Sequence, residues 1–414
     1  MASRPPSRVG RRARRVLAVV LGLACCLGGA RAQGDDFEGR GPDPYTRGDD
    51  EAVAAAGYVT LDMRAWAGDY GTRDIQELLG GVPLVWIETE HFRLGSTLPA
   101  TAVHKVEKQR VRAELKRLKA RLPRVKDRTK TLDPWLRAHL YAQRLEDVYA
   151  RVQGLLGVTD ADFVRPLPEG ATRPARGQGP YLGMGDKFCV LLLERSSSLG
   201  RYGARWGTSP DPAPQVLYDA GADALGFATC QEWFTGELGH DTAFQCHVTW
   251  FVSQLLLRGY NGYAFEHSLW LRQGFGHVLS REIDPRFNTL PRIPDTVAET
   301  LDRWDWAPSV RARVGHGLAP GLAEMALWDP VGRRTFADHR MAWSRADWLL
   351  RQDPEAVARF FALATAPFDA GGQVPTREQV AAHERQALQS ALGLDEAAAD
   401  AAWAAWVESE YPRK

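Results

Sequence analysis

The sequence predicts an α+β fold in which a small sheet packs against helices and the C-terminal region is helical. Runs of β-forming residues at 84–94, 188–193 and 215–218 indicate the strands. Two amphipathic helical patterns separate the first run from the second. After residue 241, apolar residues recur mainly at helical spacing. Strands followed by a long helical region are typical of an α+β chain.

Residues 1–32 have the three parts of a secretory signal peptide. The first 15 residues contain six arginines and no acidic residue, and an apolar run follows from Val16 to Leu27. Ala30-Arg31-Ala32 then has the small-x-small form of a signal peptidase site. The apolar run of about 12 residues is too short to span a bilayer. We therefore expect an exported protein, located in the periplasm or outside the cell.

Removal of the signal peptide makes the chain acidic. The 414-residue chain has a formal net charge of +1, and residues 1–32 contain seven arginines and no acidic residue. The remaining chain therefore has a net charge of −6. This balance argues against nucleic acid and anionic membranes as partners. No later segment is long and apolar enough to predict a transmembrane helix.

Three cysteines remain after residue 32, namely Cys189, Cys230 and Cys246. An odd number of cysteines does not form a complete disulfide framework. One bridge can still form, and Cys230 and Cys246 are the closest pair in the sequence. The chain contains no CxxC pair that would indicate a structural metal site.

The chain after the signal peptide is predicted to comprise five segments. They are an irregular lead-in at 33–81, a strand with a helical hairpin at 82–156, a linker at 157–186, a core at 187–290 and a helical region at 291–414. The lead-in is rich in Gly and Asp, and the linker is rich in Pro, Gly and Arg, which are residues typical of irregular structure.

Apolar spacing and capping residues predict the individual helices. Asp133 followed by Pro134, for example, has the form of a helix start with an N-cap. Helices are predicted at 103–122, from 133 onward, at 199–206, 241–258, 268–282, 341–351, from 353 onward, at 376–393 and at 395–410. His91, in the strand at 84–94, is interpreted as a half-exposed strand residue and not as a ligand.

The helix predicted at 241–258 contains the sequence QCHVTWF, residues 245–251, with the single histidine His247. Phe244, Val248 and Phe251 recur at helical spacing and form an apolar stripe. The next predicted helix contains WLRQGFGH, residues 270–277. Taken alone, this pattern predicts a buried helix with one core histidine.

These segments, in this order, resemble the peptidase MA-like gluzincins, a group of zinc metallopeptidases. The resemblance extends over residues 82–410. It includes VWIETEHF at 85–92, VLLLE at 190–194, LGLD at 392–395 and the W-x-x-WV pattern at 403–407. In this family an HExxH helix supplies two zinc ligands and the general base, and a WLxEGxA segment supplies the third ligand. The resemblance implies a gluzincin-like fold with the helix at 241–258 in the place of the zinc helix.

The residues at the functional positions of this family have changed. The resemblance places His247 at the first ligand position, Val248 at the general base, Phe251 at the second ligand and Gln273 at the third. Catalytic zinc sites use three protein ligands and a water, so one neutral imidazole does not hold zinc tightly. We therefore expect no intact catalytic site, no cofactor and no bound metal, with zinc binding as the alternative.

A relocated metal site is the basis of that alternative. His277 lies four residues after Gln273, on the same helix face and one turn further along. Its imidazole can approach His247 if the two helices are antiparallel. Together with a carboxylate, His247 and His277 would then form a new zinc site.

Three functions follow from these interpretations. The leading expectation is an exported, catalytically inactive metallopeptidase-like protein that binds a polypeptide or an envelope component, or that serves as a structural partner. The first alternative is an active metal-dependent hydrolase that uses the relocated site around His247 and His277. The second is a purely structural extracytoplasmic protein without a cleft.

Overall fold

A computed structural model describes residues 41–163, 179–205, 213–234, 239–263, 265–288, 304–329, 334–369 and 372–413. The signal peptide predicted at 1–32 lies outside these ranges and stays a prediction. Within the ranges the fold is α+β, with a five-stranded mixed sheet, three two-stranded sheets and a helical C-terminal region. In the same ranges, no helix has the length and apolar character needed to cross a membrane.

The strands are short, and most of their residues are buried. They are β1 (Ala65–Ala67), β2 (Tyr70–Gly71), β3 (Val85–Glu88), β4 (Phe92–Ser96), β5 (Thr101–Ala102), β6 (Thr131–Leu132), β7 (Phe188–Leu193), β8 (Gln215–Asp219), β9 (Ala224–Cys230), β10 (Phe265–Glu266) and β11 (Ala366–Pro367).

The helices follow in the same chain order. They are α1 (Asp50–Ala55), α2 (Thr72–Leu78), α3 (Lys108–Arg121), α4 (Pro134–Leu156), α5 (Ser196–Arg205), α6 (Asp241–Gly259), α7 (Leu269–Ile283), α8 (Ala307–Gly315), α9 (Leu322–Ala326), α10 (Phe336–Leu350), α11 (Pro354–Leu363), α12 (Arg377–Leu392) and α13 (Glu396–Glu410). The predicted helices at 241–258, 268–282, 376–393 and 395–410 are confirmed to within two residues at each end.

The five-stranded sheet has the order β3-β4-β7-β9-β8. Its three central strands, β4, β7 and β9, are parallel, and the outer strands β3 and β8 are antiparallel to their neighbours. Every residue of β7 and β9 is buried, because helices or loops cover both faces of the sheet. The predicted linker at 157–186 does not separate two sheets. Strand β4 precedes it in the chain, β7 follows it, and these two strands pair in the same sheet.

The two faces of the sheet border different hydrophobic cores. On the face that we call the front, Phe227 and other residues of β9 pack against α6 in the large core. On the back face, Ala228 and Cys230 pack in a smaller core together with Trp66 and Tyr202. Successive residues of a strand point to opposite faces, so β9 contributes alternately to the two cores.

The single strand predicted at 84–94 is wrong. The chain forms the hairpin of β3 and β4 instead, with Val85 opposite Ser96, and His91 lies in the turn. The backbone N–H of Thr89 donates to Phe92 O at 2.9 Å, and the backbone N–H of Phe92 donates to Thr89 Oγ1 at 3.1 Å. The alternating pattern did not reveal this turn, because apolar residues alternate in the same way in one long strand and in two short ones.

The described part of the lead-in, from residue 41, is not irregular as predicted. It contains α1, the β1–β2 hairpin and α2. Asp49 caps α1 by accepting a hydrogen bond from the backbone N–H of Ala52 at 2.7 Å. Trp66 and Ile75 are completely buried in the core on the back face. These short elements depend on tertiary packing, which periodicity over a few residues does not report.

Three further sequence interpretations need correction. Strand β9 was not predicted, because its sequence ALGFATC contains two alanines and a glycine, which have low β propensity. The bridge considered between Cys230 and Cys246 does not form, since both residues, and also Cys189, are buried free thiols. The first hairpin helix begins at Lys108 and not at residue 103, because Thr101 and Ala102 pair with β6.

A buried ionic network fixes the start of α6 against α3 and α4. Asp241 is fully buried and accepts hydrogen bonds from Arg137 Nη2 at 3.2 Å and Arg144 Nη1 at 2.6 Å. Arg144 also pairs with Glu114 at 2.7 Å, and Arg110 pairs with Glu114 at 2.8 Å. Burial alone would raise the pKa of Asp241, but the charges of Arg144 and Arg137 lower it below its ordinary value. The carboxylate is therefore charged throughout the physiological pH range.

Substitution Asp241→Asn tests the importance of this network. It would leave Arg137 and Arg144 buried without their common counter-charge, so we expect a loss of about 3–5 kcal/mol in the free energy of unfolding. Urea denaturation followed by circular dichroism measures this loss. The control is Asp62→Asn, since Asp62 is exposed and pairs only at the surface with Arg64. Equal stability of the two variants would contradict the central role of Asp241.

Candidate functional site

Helix α6 brings the residues of QCHVTWF against the front face of the sheet. His240 is its N-cap residue. The residue just before α3, Glu107, satisfies a donor of the first turn, since its Oε2 accepts a hydrogen bond from the backbone N–H of Thr242 at 3.0 Å. The helix is buried over most of its length. Helix α7 packs beside it and contributes Gln273 and His277.

His247 is a core histidine with one hydrogen bond. Its Nε2 shares a hydrogen bond with Thr229 Oγ1 of β9 at 2.8 Å, and only 2 % of the residue is exposed. Five aromatic rings have centroids within 6.4 Å of the imidazole centroid, those of Phe227, Trp233, Phe234, Phe244 and Phe251. Burial in these apolar surroundings lowers the pKa of His247 to about 3. The imidazole is therefore neutral at physiological pH.

Val248 and Phe251 belong to the hydrophobic core. Val248 is 3 % exposed. The ring of Phe251 is stacked on Phe227 at 4.9 Å and meets the edge of His247 at 4.9 Å. The ring of Phe251 fills space beside the imidazole, and neither Phe251 nor Val248 has a lone pair that could bind a metal.

Two glycines bring α7 close to its neighbours. A Cβ at Gly276 would lie 2.7 Å from the carbonyl oxygen of Trp250 in α6, and a Cβ at Gly274 would lie 2.3 Å from that of Ala342 in α10. Real Cβ atoms do not approach backbone so closely, so α7 contacts both helices at backbone distance. Gln273 is 9 % exposed beside this contact, and its Oε1 has no hydrogen-bond partner in the described part of the chain.

His277 lies in different surroundings from His247. Its Nε2 shares a hydrogen bond of 3.0 Å with Nδ1 of His339 in α10, and its ring contacts Trp250 and Trp306. Burial, with a smaller contribution from His339, lowers the pKa of His277 well below its ordinary value. Neither a hydrogen bond nor a ring contact joins His247 to His277, both of which are described residues.

The residues present do not fit a zinc ion. At the four positions that the resemblance assigns, His247 alone offers a strong metal ligand, and its Nε2 is bonded to Thr229. Its Nδ1 is buried without a partner and faces no carboxylate or second imidazole that would complete a site. Over all described residues, no group of three His, Cys, Asp or Glu side chains is arranged to hold a metal ion.

A shallow groove lies on the other side of α6. It has a volume of about 180 Å³ and is bounded by α4, α6 and α7, with Gln245 and Thr249 on the α6 wall. Each of these two residues is two positions from His247 in the sequence. At 3.6 residues per turn, this spacing corresponds to a rotation of about 200° around the helix axis. The groove therefore faces away from His247, and the imidazole does not line it.

His91 forms a polar cluster that the sequence did not reveal. Its Nδ1 contacts Glu146 Oε2 at 2.6 Å, its Nε2 contacts Asp160 Oδ2 at 2.8 Å, and its ring stacks on Tyr149 at 3.7 Å. The carboxylates lie on opposite sides of the ring, so they do not converge on one metal position. Burial alone would lower the pKa of His91, but the hydrogen bonds to Asp160 and Glu146 outweigh it and raise the pKa to about 9.

Comparisons with known proteins do not assign the chain to a family. No model of a protein family matches the sequence. No curated protein matches it either. The gluzincin resemblance therefore depends on the residues and their order alone.

The His91 cluster predicts that stability falls at alkaline pH. The pKa of His91 rises from 6.5 in the unfolded chain to about 9 in the fold, so the charged imidazole stabilises the fold fully below pH 6.5. The contribution, about 3 kcal/mol at most, is lost as the pH rises through about 9. Urea unfolding at pH 6, 8 and 9.5 measures the change.

Variant His91→Gln is expected to be less stable at pH 6 and to lose less stability than the native chain between pH 6 and 9.5. The exposed His316→Gln serves as the control and should follow the native chain. A native chain that is equally stable at pH 6 and 9.5 would exclude the charged cluster.

Proposed function

We propose that the chain is an exported, catalytically inactive protein with a metallopeptidase-like arrangement, which binds a polypeptide or an envelope component. The observation that carries the proposal is the environment of His247. The residue that would be the first zinc ligand is neutral, buried among five aromatic rings and bonded to Thr229. A hydrolytic zinc site needs water at the metal, and this environment excludes water.

The substitutions at the other positions support the same interpretation. Phe251 is packed against Phe227, and Val248 lies in the core, so neither position offers a ligand or a base. Gln273 is a neutral side chain where a carboxylate would neutralise the metal charge. Without a general base beside the metal, a bound water would not be activated even if zinc were present.

The two alternatives are supported less well. An active hydrolase would need His247 and His277 to share a metal, and each imidazole is bonded to a different side chain. A purely structural role finds support in the backbone contacts of α7 with α6 and α10. The groove between α4, α6 and α7 favours a binding role over the structural one, since it leaves concave surface open on the side of α6 that faces away from His247.

Metal content and restored ligands test the proposal together. We expect the purified native chain to contain zinc far below one ion per chain and to show no metal-dependent cleavage of an unfolded polypeptide. The double variant Phe251→His/Gln273→Glu restores two ligands beside His247. It should bind about one zinc per chain and gain thermal stability when zinc is added, because metal that binds only the folded state stabilises it.

The triple variant Phe251→His/Gln273→Glu/His247→Ala is the matched control and should not bind zinc. Elemental analysis and thermal unfolding with and without zinc measure these effects. Stoichiometric zinc in the native chain, or cleavage that His247→Ala abolishes, would contradict the inactive assignment. A folded double variant that binds no zinc would contradict the assigned ligand positions.

A further inference from the structure

A cavity of about 470 Å³ lies on the back face of the sheet, away from α6 and His247. Strands β8 and β9 form its floor, and the β1–β2 hairpin and the C-terminal end of α5 form its walls. We call it the back cavity. Its volume is within the range of about 300–1,000 Å³ that is typical of small-molecule sites.

Gly226 of β9 opens the floor of the back cavity. It pairs with Cys189 of β7 on one side and with Leu217 of β8 on the other, so the three residues form a row across the sheet. A Cβ at Gly226 would lie 3.6 Å from its nearest neighbour, Cys189 O, which is an ordinary contact distance. A larger side chain at Gly226 would therefore extend into the cavity without disturbing the backbone.

Aromatic side chains form the walls. Trp66 and Tyr202 are buried and held together, since Trp66 Nε1 donates to the Tyr202 hydroxyl at 3.2 Å. Tyr70 of β2 also lines the cavity. The thiol of Cys189 donates to Trp66 O at 3.1 Å, and burial raises its pKa to about 12. This thiol is protonated at physiological pH and is not a nucleophile, so the cavity favours binding over covalent chemistry.

Opposite charges lie on the wall and the rim. The Arg205 guanidinium lies 5.1 Å from the ring centroid of Tyr70 and donates to its hydroxyl. Asp219 Oδ1 accepts the backbone N–H groups of Gly221 and Ala222 at 2.9 and 3.0 Å, which orients the carboxylate. A Cβ at Gly68 would lie 2.6 Å from Asp219 Oδ2. The β1–β2 hairpin thus contacts both charged groups. Tyr70 contacts Arg205, and Gly68, two positions earlier in the hairpin, lies against Asp219.

We propose that the back cavity binds a zwitterionic, amino-acid-like ligand with an apolar or aromatic side chain. Arg205 would pair with the carboxylate, for which a guanidinium has the matching geometry. Asp219 would pair with the ammonium group. The side chain would lie over Gly226, on the side of the cavity lined by Trp66 and Tyr202, where burial of apolar surface favours binding.

The charges distinguish this ligand from other classes. A polyanion would be repelled by Asp219, and a polycation by Arg205. An uncharged apolar molecule would displace water from Arg205 and Asp219 without supplying a charge in its place, and this loss of hydration would weaken its binding. The inference does not rest on the proposed function, because it uses residues of the sheet face opposite to α6.

The test uses the mature chain with L-phenylalanine, L-leucine, phenylalaninamide and N-acetyl-phenylalanine, and isothermal titration calorimetry as the readout. Both free amino acids should bind. The amide lacks the carboxylate and the acetyl derivative lacks the ammonium group, so each should bind at least tenfold more weakly than L-phenylalanine. Equal affinities for the three phenylalanine compounds, or no binding of either amino acid at 10 mM, roughly the weak limit for such small ligands, would overturn the proposal.

Three variants locate the site. Gly226→Leu fills the floor and should reduce L-phenylalanine affinity at least tenfold while the thermal unfolding temperature stays near the native value. Arg205→Gln should weaken L-phenylalanine binding but leave phenylalaninamide binding unchanged. Arg195→Gln, at an exposed arginine just before α5, is the matched control and should bind like the native chain. Native affinity in a folded Gly226→Leu variant would exclude the back cavity as the site.

Discussion

The buried carboxylate of Asp241 determines where α6 lies. It joins α6 to α4 through Arg137 and Arg144, and Arg144 continues the network to Glu114 on α3. Because Asp241 is in the first turn, its negative charge is also stabilised by the positive end of the helix dipole. A buried ion pair is tolerated when each charge has partners, and Asp241 meets this condition. The network therefore fixes the rotation of α6, and with it the side chains that face the sheet.

Once α6 is fixed, the space in front of β9 is closed by side chains. His247 contacts Thr229, while Phe251 lies on Phe227. Gly276 then lets α7 reach the backbone of α6 at Trp250. A glutamate at 248 or 273 without a metal would be a charge in this core, and such a charge costs several kcal/mol. The valine at the general-base position and the glutamine at the third ligand position are therefore both compatible with a core that holds no metal, and a glutamate at either position would not be.

Sequence patterns predicted the long elements well and the short ones poorly. Helices α6, α7, α12 and α13 are long enough for apolar spacing and caps to define them. The turn at His91 depends on local hydrogen bonds, which leave no periodic signal, and strand β9 contains alanine and glycine, which have low β propensity. The core environment of His247 followed from its apolar neighbours in the sequence. The carboxylate partners of His91 did not, because Glu146 and Asp160 are 55 and 69 residues away.

The two faces of β9 differ because one residue on the back face has no side chain. Phe227 and Thr229 project toward α6 and help to fill the front, whereas Gly226 projects nothing toward Trp66 and Tyr202. Neighbouring residues of one strand thus close one side of the sheet and open the other. The charged groups follow the same division. Arg205 and Asp219 line the open side, and around His247 the neighbouring side chains are aromatic or uncharged. A small ligand with separated charges would find matching groups, Arg205 and Asp219, on the back face and none around His247. Binding at the back cavity therefore does not require a functional metal site on the front face.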